Sequence, residues 1–364
     1  MSRYDVAVVG GGPAGLAVAI TTARRGLNTV VLERGTAPMD KACGEGLMPS
    51  GLAVLERLGA RELLGPDGCS PFVGIRYVQE DGSGVEGRLP EPGGLGVRRV
   101  ALAAALADRA RAVGVELRER TQVRGHRRTE GGVTLETAAG PVEARVLVAA
   151  DGLGSPLRRA EGLEVAARGP RRFGVRRHFR VKPWSPFVEV HFADGVEAYV
   201  TPAGAERVGL AFLWEDGLPG RIGFETLLAR FPSLTEKLSG AEPDSQVRGA
   251  GPLLRTARAR VADRFALVGD AAGYVDALTG EGLSLAFTCA ESLGHLLPDA
   301  LVKGATRDTL QPYERTFQRV FRKYAWVAHG MLMLARRPRV RRQVVRWLGR
   351  HPRLFERVLA QAVT

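Results

Sequence analysis

Val6-Ala7-Val8-Val9-Gly10-Gly11-Gly12-Pro13-Ala14-Gly15 decides how this chain folds. The apolar run before Gly10 lacks the alternation of a half-buried strand, so it reads as a strand of a parallel sheet, buried on both faces. Residues 14–25 carry Leu16, Ala17, Ala19, Ile20 and Ala23, with Arg24 and Arg25 in the last turn and Gly26 as the stop, which predicts a helix. Thr29-Val30-Val31-Leu32 is the next strand and runs into Glu33. Strand, glycine turn, helix and strand within about 30 residues make a βαβ unit. Gly10 permits the tight turn, Gly12 lets backbone approach a pyrophosphate, and Gly15 lets helix and strand pack closely. Pro13 and Ala14 open the helix, whose free N–H groups and dipole favour phosphate. Glu33, 18 residues after Gly15, suits a ribose diol. A dinucleotide is the expected ligand.

Two further segments extend the pattern. Asp151-Gly152-Leu153-Gly154-Ser155-Pro156-Leu157-Arg158 follows a strand at Val146–Ala149. Gly269-Asp270-Ala271-Ala272-Gly273 follows a strand at Phe265–Val268 and runs into Thr279-Gly280-Glu281-Gly282-Leu283. With these three segments in this order, the chain resembles the p-hydroxybenzoate hydroxylase-like superfamily of FAD enzymes over residues 4–300. That superfamily includes single-component aromatic hydroxylases, flavin-dependent halogenases and geranylgeranyl reductases.

The resemblance implies FAD as the cofactor, with NAD(P)H as a transient reductant, since there is one dinucleotide fingerprint and not two. It sets Gly10, Gly12, Pro13, Ala14, Gly15, Glu33 and Arg34 against the adenosine half. Asp270 binds a ribityl hydroxyl. Gly280, Gly282 and Leu283 begin a helix facing the flavin pyrimidine edge, where reduced flavin carries negative charge. Arg99 matches an arginine that contacts FAD, with Arg98 as the alternative one residue away. Val123 matches the strand beside the adenine. Asp151, Ser155 and Arg158 touch the cofactor or form a capped turn with a local ion pair. Cys43-Gly44 resembles a cysteine loop of the geranylgeranyl reductases beside the isoalloxazine, with Glu45 next to it.

The stretch 172–213 has strand patterns at Phe173–Val181, Phe187–Phe192, Glu197–Thr201 and Arg207–Leu213. It predicts an antiparallel sheet, the substrate roof of the superfamily. Alternation puts Glu189 and His191 on one face, with Val188 and Val190 on the other. Cys43, Glu45, His178, His191 and Tyr199 are the candidate catalytic groups. The expected fold is α/β: a Rossmann-type FAD domain from residues 1–70, 97–165 and 255–305, an inserted antiparallel sheet domain from 71–96 and 166–254, and a helical tail at 306–364. Single helices are expected over 51–64, 99–113, 222–239 and 283–297.

Some signatures are missing. Residues 184–187 read Trp-Ser-Pro-Phe, without the halogenase Trp-x-Trp-x-Ile-Pro. Tyr199-Val200-Thr201-Pro202 stands where prenyl reductases carry Tyr-x-Trp-x-Phe-Pro, and Ala277 replaces a usual proline. One reaction leads and two are alternatives to it. The first is NAD(P)H-dependent hydroxylation of an aromatic or polyketide-like lipophilic substrate in secondary metabolism, using molecular oxygen through a flavin C4a-hydroperoxide. The second is reduction of isoprenoid double bonds. The third is a non-catalytic or electron-transfer flavoprotein.

Bulk properties bound the rest. Cys43, Cys69 and Cys289 are too scattered for a disulfide framework or metal cluster. No signal-peptide pattern and no long apolar run appear, so a cytoplasmic location is expected. The net charge of +13 is concentrated at the end: residues 331–364 hold nine arginines and one acid, Glu356. No nucleic-acid recognition motif accompanies them, so nucleic acid is not an expected partner. Val340, Val344, Trp347 and Leu348 share a helical face in this tail, largely apart from Arg339, Arg342, Arg346 and Arg350. Such a helix either packs on its own domain or lies on an anionic membrane surface.

Overall fold

The computed structural model describes residues 4–363. Its floor is an eight-stranded sheet built around Tyr4–Val9, which pairs in parallel with Thr29–Leu32 and Val142–Ala149. Glu116–Arg118 adds in parallel beyond Thr29–Leu32, and Phe265–Leu267 beyond Val142–Ala149. The central strands are apolar on both faces because helices cover both sides. Pro13–Arg24 and Gly282–Val302 cross on one side, close enough that a Cβ on Gly294 would lie 2.6 Å from Thr21. Arg99–Ala112 packs beside them with Leu102 and Leu106 fully buried.

Register positions the site. Val9 stands opposite both Leu32 and Ala149, and Ala149 opposite Leu267. Four parallel strands thus end at one level, and the residues just beyond them form one edge. Gly10, Glu33, Asp151 and Gly269 lie there. In open α/β sheets, ligands bind outside the carboxyl ends of the strands.

The roof is a second eight-stranded sheet. Arg172–Arg180, Arg207–Glu215, Val196–Gly204 and Phe187–Ala193 run antiparallel in that spatial order. Gly74–Val78 joins Phe187–Ala193 in parallel and carries Gly84–Arg88 at its outer edge. Its far face is covered by Phe224–Leu228 and Pro232–Lys237, with Phe212, Phe224, Leu227 and Leu234 in the core between.

Several expected elements differ. The helix expected over 51–64 runs only from Pro49 to Leu58, because Gly59 takes a left-handed φ of +71° and stops it. The single helix expected over 222–239 is two short helices, since Pro232 starts a new one and cannot continue the first. The strand expected at Val123 runs to Thr129, although its charged sequence, Val-Arg-Gly-His-Arg-Arg-Thr, carries no strand pattern of its own. The helical tail is as expected: three helices, Arg307–Ala335, Pro338–Gly349 and Pro352–Val363, broken at Pro338 and Pro352. Among the described residues, no helix is long and apolar enough to cross a membrane.

Candidate cofactor site

The fingerprint turn is built as its spacing requires. Gly10 has φ +108°, and a Cβ there would meet the Ala150 carbonyl oxygen at 2.3 Å. A Cβ on Gly15 would fall 2.0 Å from the Gly10 oxygen. At Gly12 the space is open, and a Cβ would meet only Arg99 Nη2, at 3.7 Å. Gly10 and Gly15 serve the fold, then, while Gly12 keeps room above the helix start for a ligand.

Glu33 is buried, and both of its oxygens already receive backbone donors. Gly11 N donates to Oε2 at 2.8 Å and Gly35 N to Oε1 at 2.9 Å. Each oxygen keeps a second lone pair for a ribose hydroxyl. Thr121 N donates to the Glu33 carbonyl at 2.8 Å, which lays residues 121–123, and so Val123, along this strand end.

Arg98 and Arg99 separate. Arg98 turns to the roof and pairs with Asp244 at 3.4 Å. Arg99 is buried beside Gly12, and its Nε has no protein partner. Lys41, which the sequence did not single out, lies within the fields of Glu33, Arg34, Arg99 and Asp270. Two cations and Asp270 therefore converge on the space above Gly12. Burial pushes the Asp270 carboxyl up, while Arg99 and Lys41 hold it down.

Asp151 accepts from Leu157 N at 3.2 Å through Oδ2, while its Oδ1 is buried without a partner. Burial raises its pKa. Ser155 caps the short helix Pro156–Ala160 by accepting from Arg158 N at 2.9 Å. Arg158 is fully buried and donates to Ala271 O at 2.9 Å, Leu153 O at 2.8 Å and Glu164 at 3.0 Å. Arg158 thus ties the second segment to the third.

The loop 40–46 is stitched to the roof. Glu45 sits at φ +61°, a region costing an L-residue about 1 kcal/mol. Three contacts hold it there: Arg99 N donates to Oε1 at 2.7 Å, His178 Nε2 meets Oε2 at 2.5 Å, and Val97 N donates to its carbonyl at 2.7 Å. His178 Nδ1 lies 2.8 Å from Ser245 Oγ, which accepts from His178 N and Arg176 and so offers its own proton to Nδ1. That leaves the His178 proton on Nε2, facing Glu45. Neighbouring stitches are Thr201 Oγ1 to Gly44 O at 2.9 Å and an Arg176–Asp40 ion pair.

The remaining candidates divide. Register places Tyr199 opposite Val190, and His191 opposite Ala198, so they face opposite ways. Tyr199 faces the floor, but its hydroxyl donates to Leu278 O at 2.7 Å, and burial lifts its pKa well above the ordinary value. His191 lies on the far face, bonded to Glu189 at 3.0 Å under Lys237, and is not brought to the cleft. Cys43 Sγ accepts from Glu45 N at 3.3 Å, and burial pushes its thiol up, with Arg99 opposing, which keeps it a neutral thiol.

At the third segment, Gly280 has φ +69° and Gly282 begins the helix Gly282–Val302, followed by Leu283. Ser284 Oγ is buried without a protein partner on this turn, and Thr279 Oγ1 and Glu281 Oε2 are buried with no neighbour nearer than each other. Burial raises Glu281 to about 7, with Lys323 and the Thr279 hydroxyl opposing. Its field reaches Tyr77 of the roof. An unpartnered buried hydroxyl at a helix start, an open Gly12 and convergent cations fit a bound FAD.

Known proteins share the fold and the FAD-binding domain. A family model described as an FAD binding domain matches residues 3–326. Digeranylgeranylglycerophospholipid reductase 1 of Methanopyrus kandleri is 31% identical over 341 residues, covering 88% of this chain and 87% of that protein. Dialkyldecalin synthase of Streptomyces rugosporus is 29% identical over 329 residues, covering 85% and 68%. The crystal structure of a geranylgeranyl bacteriochlorophyll reductase-like protein from Thermoplasma acidophilum superposes with a TM-score of 0.81 at 20% identity, over 96% of this chain and 92% of that one. With its fingerprint, its aligned strand ends and a match across most of its length, the chain belongs to the FAD-binding domain family, a family of FAD-dependent oxidoreductases.

Proposed function

We propose that this protein uses NAD(P)H-reduced FAD to saturate a carbon–carbon double bond in a lipophilic, isoprenoid-like substrate. Glu281 carries the reading. It is a half-buried carboxyl whose inner oxygen Oε2 faces only Thr279, lifted to about 7, at the helix start that the family resemblance sets against the flavin. Saturating an alkene places a hydride on one carbon and a proton on the other. Reduced FAD supplies the hydride when bound. The chain has to hold the proton, orient the alkene and exclude water. A carboxyl half-protonated at neutral pH is suited to the first task. Met48, Leu253 and Leu278, packed with Tyr77, make an apolar wall suited to the second and third. The digeranylgeranylglycerophospholipid reductase, at 31% identity, supports the same substrate class.

Phenol hydroxylation asks instead for a group that takes a proton from substrate. Tyr199 has committed its hydroxyl to Leu278, and His191 faces away. The decisive experiment is anaerobic. The FAD-loaded protein is reduced with NAD(P)H, given a polyprenyl substrate, and followed by flavin absorbance and product mass. Reoxidation without oxygen, with a product heavier by a pair of hydrogens per bond, is expected. Reoxidation only on admitting oxygen, with oxygen inserted into an aromatic ring, would establish hydroxylation instead. A flavin that no substrate reoxidises would point to a non-redox role.

A further inference from the structure

We infer that the terminal helical hairpin, Pro338–Gly349 and Pro352–Val363, docks the protein on an anionic lipid bilayer. The match to the FAD-binding family ends at residue 326, before this hairpin. Its inner faces are already used. Phe355 and Leu359 lie over Gly87, where a Cβ would meet them at 2.7 and 2.8 Å. Val345 is buried with them, and buried Arg341 pairs with Glu80 and lies over the Phe192 ring. The packed face is thus Arg341, Val345 and Leu348, so of the expected stripe Leu348 packs inward and Val340 and Trp347 do not. Those two turn outward.

What remains outside is both apolar and cationic. Val340 and Trp347, seven residues apart, are exposed on the first helix, and Leu354 and Val358, four apart, on the second. Trp347 and Val358 each leave about half their surface in water, at 51% and 52%. Arg339, Arg346, Arg350, Arg353 and Arg357 are exposed among them. Glu356, the single acid of residues 331–364, is half-buried and accepts from Arg88 N at 3.4 Å. The preceding helix repeats the arrangement with exposed Trp326 and Met333, seven residues apart.

An anionic bilayer satisfies both halves of this surface. Arginines reach headgroup phosphates while their stems and the indole sit at the acyl boundary. Each cation adds attraction to an anionic leaflet, and the attraction falls with salt. A nucleic-acid backbone would use the arginines but leave Val340, Trp347, Leu354 and Val358 without partners. The inference stands apart from the reaction proposed above.

The test is co-sedimentation of the full-length, FAD-loaded protein with phosphatidylcholine vesicles and with phosphatidylcholine–phosphatidylglycerol vesicles. Binding on the order of a hundredfold tighter to the anionic vesicles is expected, weakening as salt rises. Trp347→Ser with Val358→Ser, both at exposed positions, is expected to weaken it at least roughly tenfold with thermal stability unchanged. Quenching by bromine-labelled acyl chains is expected, and Trp347→Phe reduces it. Equal binding to both vesicles, or none to either, overturns the inference. So does anionic-vesicle binding that the serine variant leaves unchanged while duplex DNA competes equally, since that describes a general polyanion surface.

Discussion

His178 Nε2 lies 2.5 Å from Glu45 Oε2, across 133 residues of sequence and from roof to floor. The carboxylate has a donor on each oxygen, the imidazole on one side and Arg99 N on the other. Glu45→Gln keeps the shape but sets an NH2 against one of these donors. A stability loss of about 2 kcal/mol is expected, as for a buried hydrogen bond to a charged group. Urea unfolding of the FAD-free protein measures it. FAD affinity is expected to fall as well, because the loop 40–46 loses its anchor. An unchanged midpoint and unchanged affinity would mean that the pair holds nothing in place.

Gly12 and Gly15 make a matched pair of tests. Gly15→Ala drives a methyl into the Gly10 carbonyl, 2.0 Å away, and is expected to destabilise the fold by more than about 2 kcal/mol. Gly12→Ala meets little in the free protein, so its melting temperature should match the wild type. Its methyl occupies cofactor space, and FAD affinity should drop by at least roughly tenfold. If Gly12→Ala retained FAD normally, the cofactor placement would be wrong.

Glu281 predicts a pH dependence with a definite sign. Its carboxyl is raised from 4.5 to about 7 by burial, so the fold prefers it protonated. In the FAD-free protein the benefit is complete below pH 4.5 and is lost as pH rises through 7. The loss is at most about 3 kcal/mol. Glu281→Gln, lacking the ionisation, should be flatter than wild type between about pH 5 and 8 in thermal unfolding. In turnover, wild-type alkene reduction should decline above pH 7, and Glu281→Gln should lower kcat by about a hundredfold or more. A variant with wild-type kcat removes Glu281 from the chemistry.

Arg158 predicts a structural effect. Its guanidinium reaches two carbonyls and Glu164 from a fully buried position. Lysine offers one compact charge and cannot serve all three, so Arg158→Lys should cost about 2 kcal/mol. The flavin potential of the loaded variant should be unchanged, since both Nη atoms are held by Ala271, Leu153 and Glu164. A shifted potential would instead put Arg158 in the flavin's field.

The floor was legible because its signals are local. Gly10, Gly12, Gly15 and Glu33 fall within one βαβ unit, and each later segment directly follows an apolar strand. The four roof strands could be read from alternation. Which face of that sheet meets the cofactor could not, because alternation separates His191 from Tyr199 without saying which looks inward. Lys41 and the Glu45–His178–Ser245 chain were hidden for another reason. Their partners are brought together by docking of roof on floor, and no local spacing encodes that contact. In the tail, the helical period was legible, but the packed face was set by Gly87, more than 250 residues earlier, where the missing side chain admits Phe355 and Leu359.

The register at Val9 also bears on how the protein is made. Tyr4–Val9 is synthesised before its neighbours, yet it is flanked on one side by Val142–Ala149, which in turn takes Phe265–Leu267 as its neighbour. A nascent chain therefore leaves the ribosome with its central strand waiting for partners made much later. The cofactor cradle closes only when the turn at Gly280–Ser284 has emerged. Capture of the cofactor then follows synthesis of most of the chain, and a cell short of flavin should accumulate the protein in a form that proteases recognise.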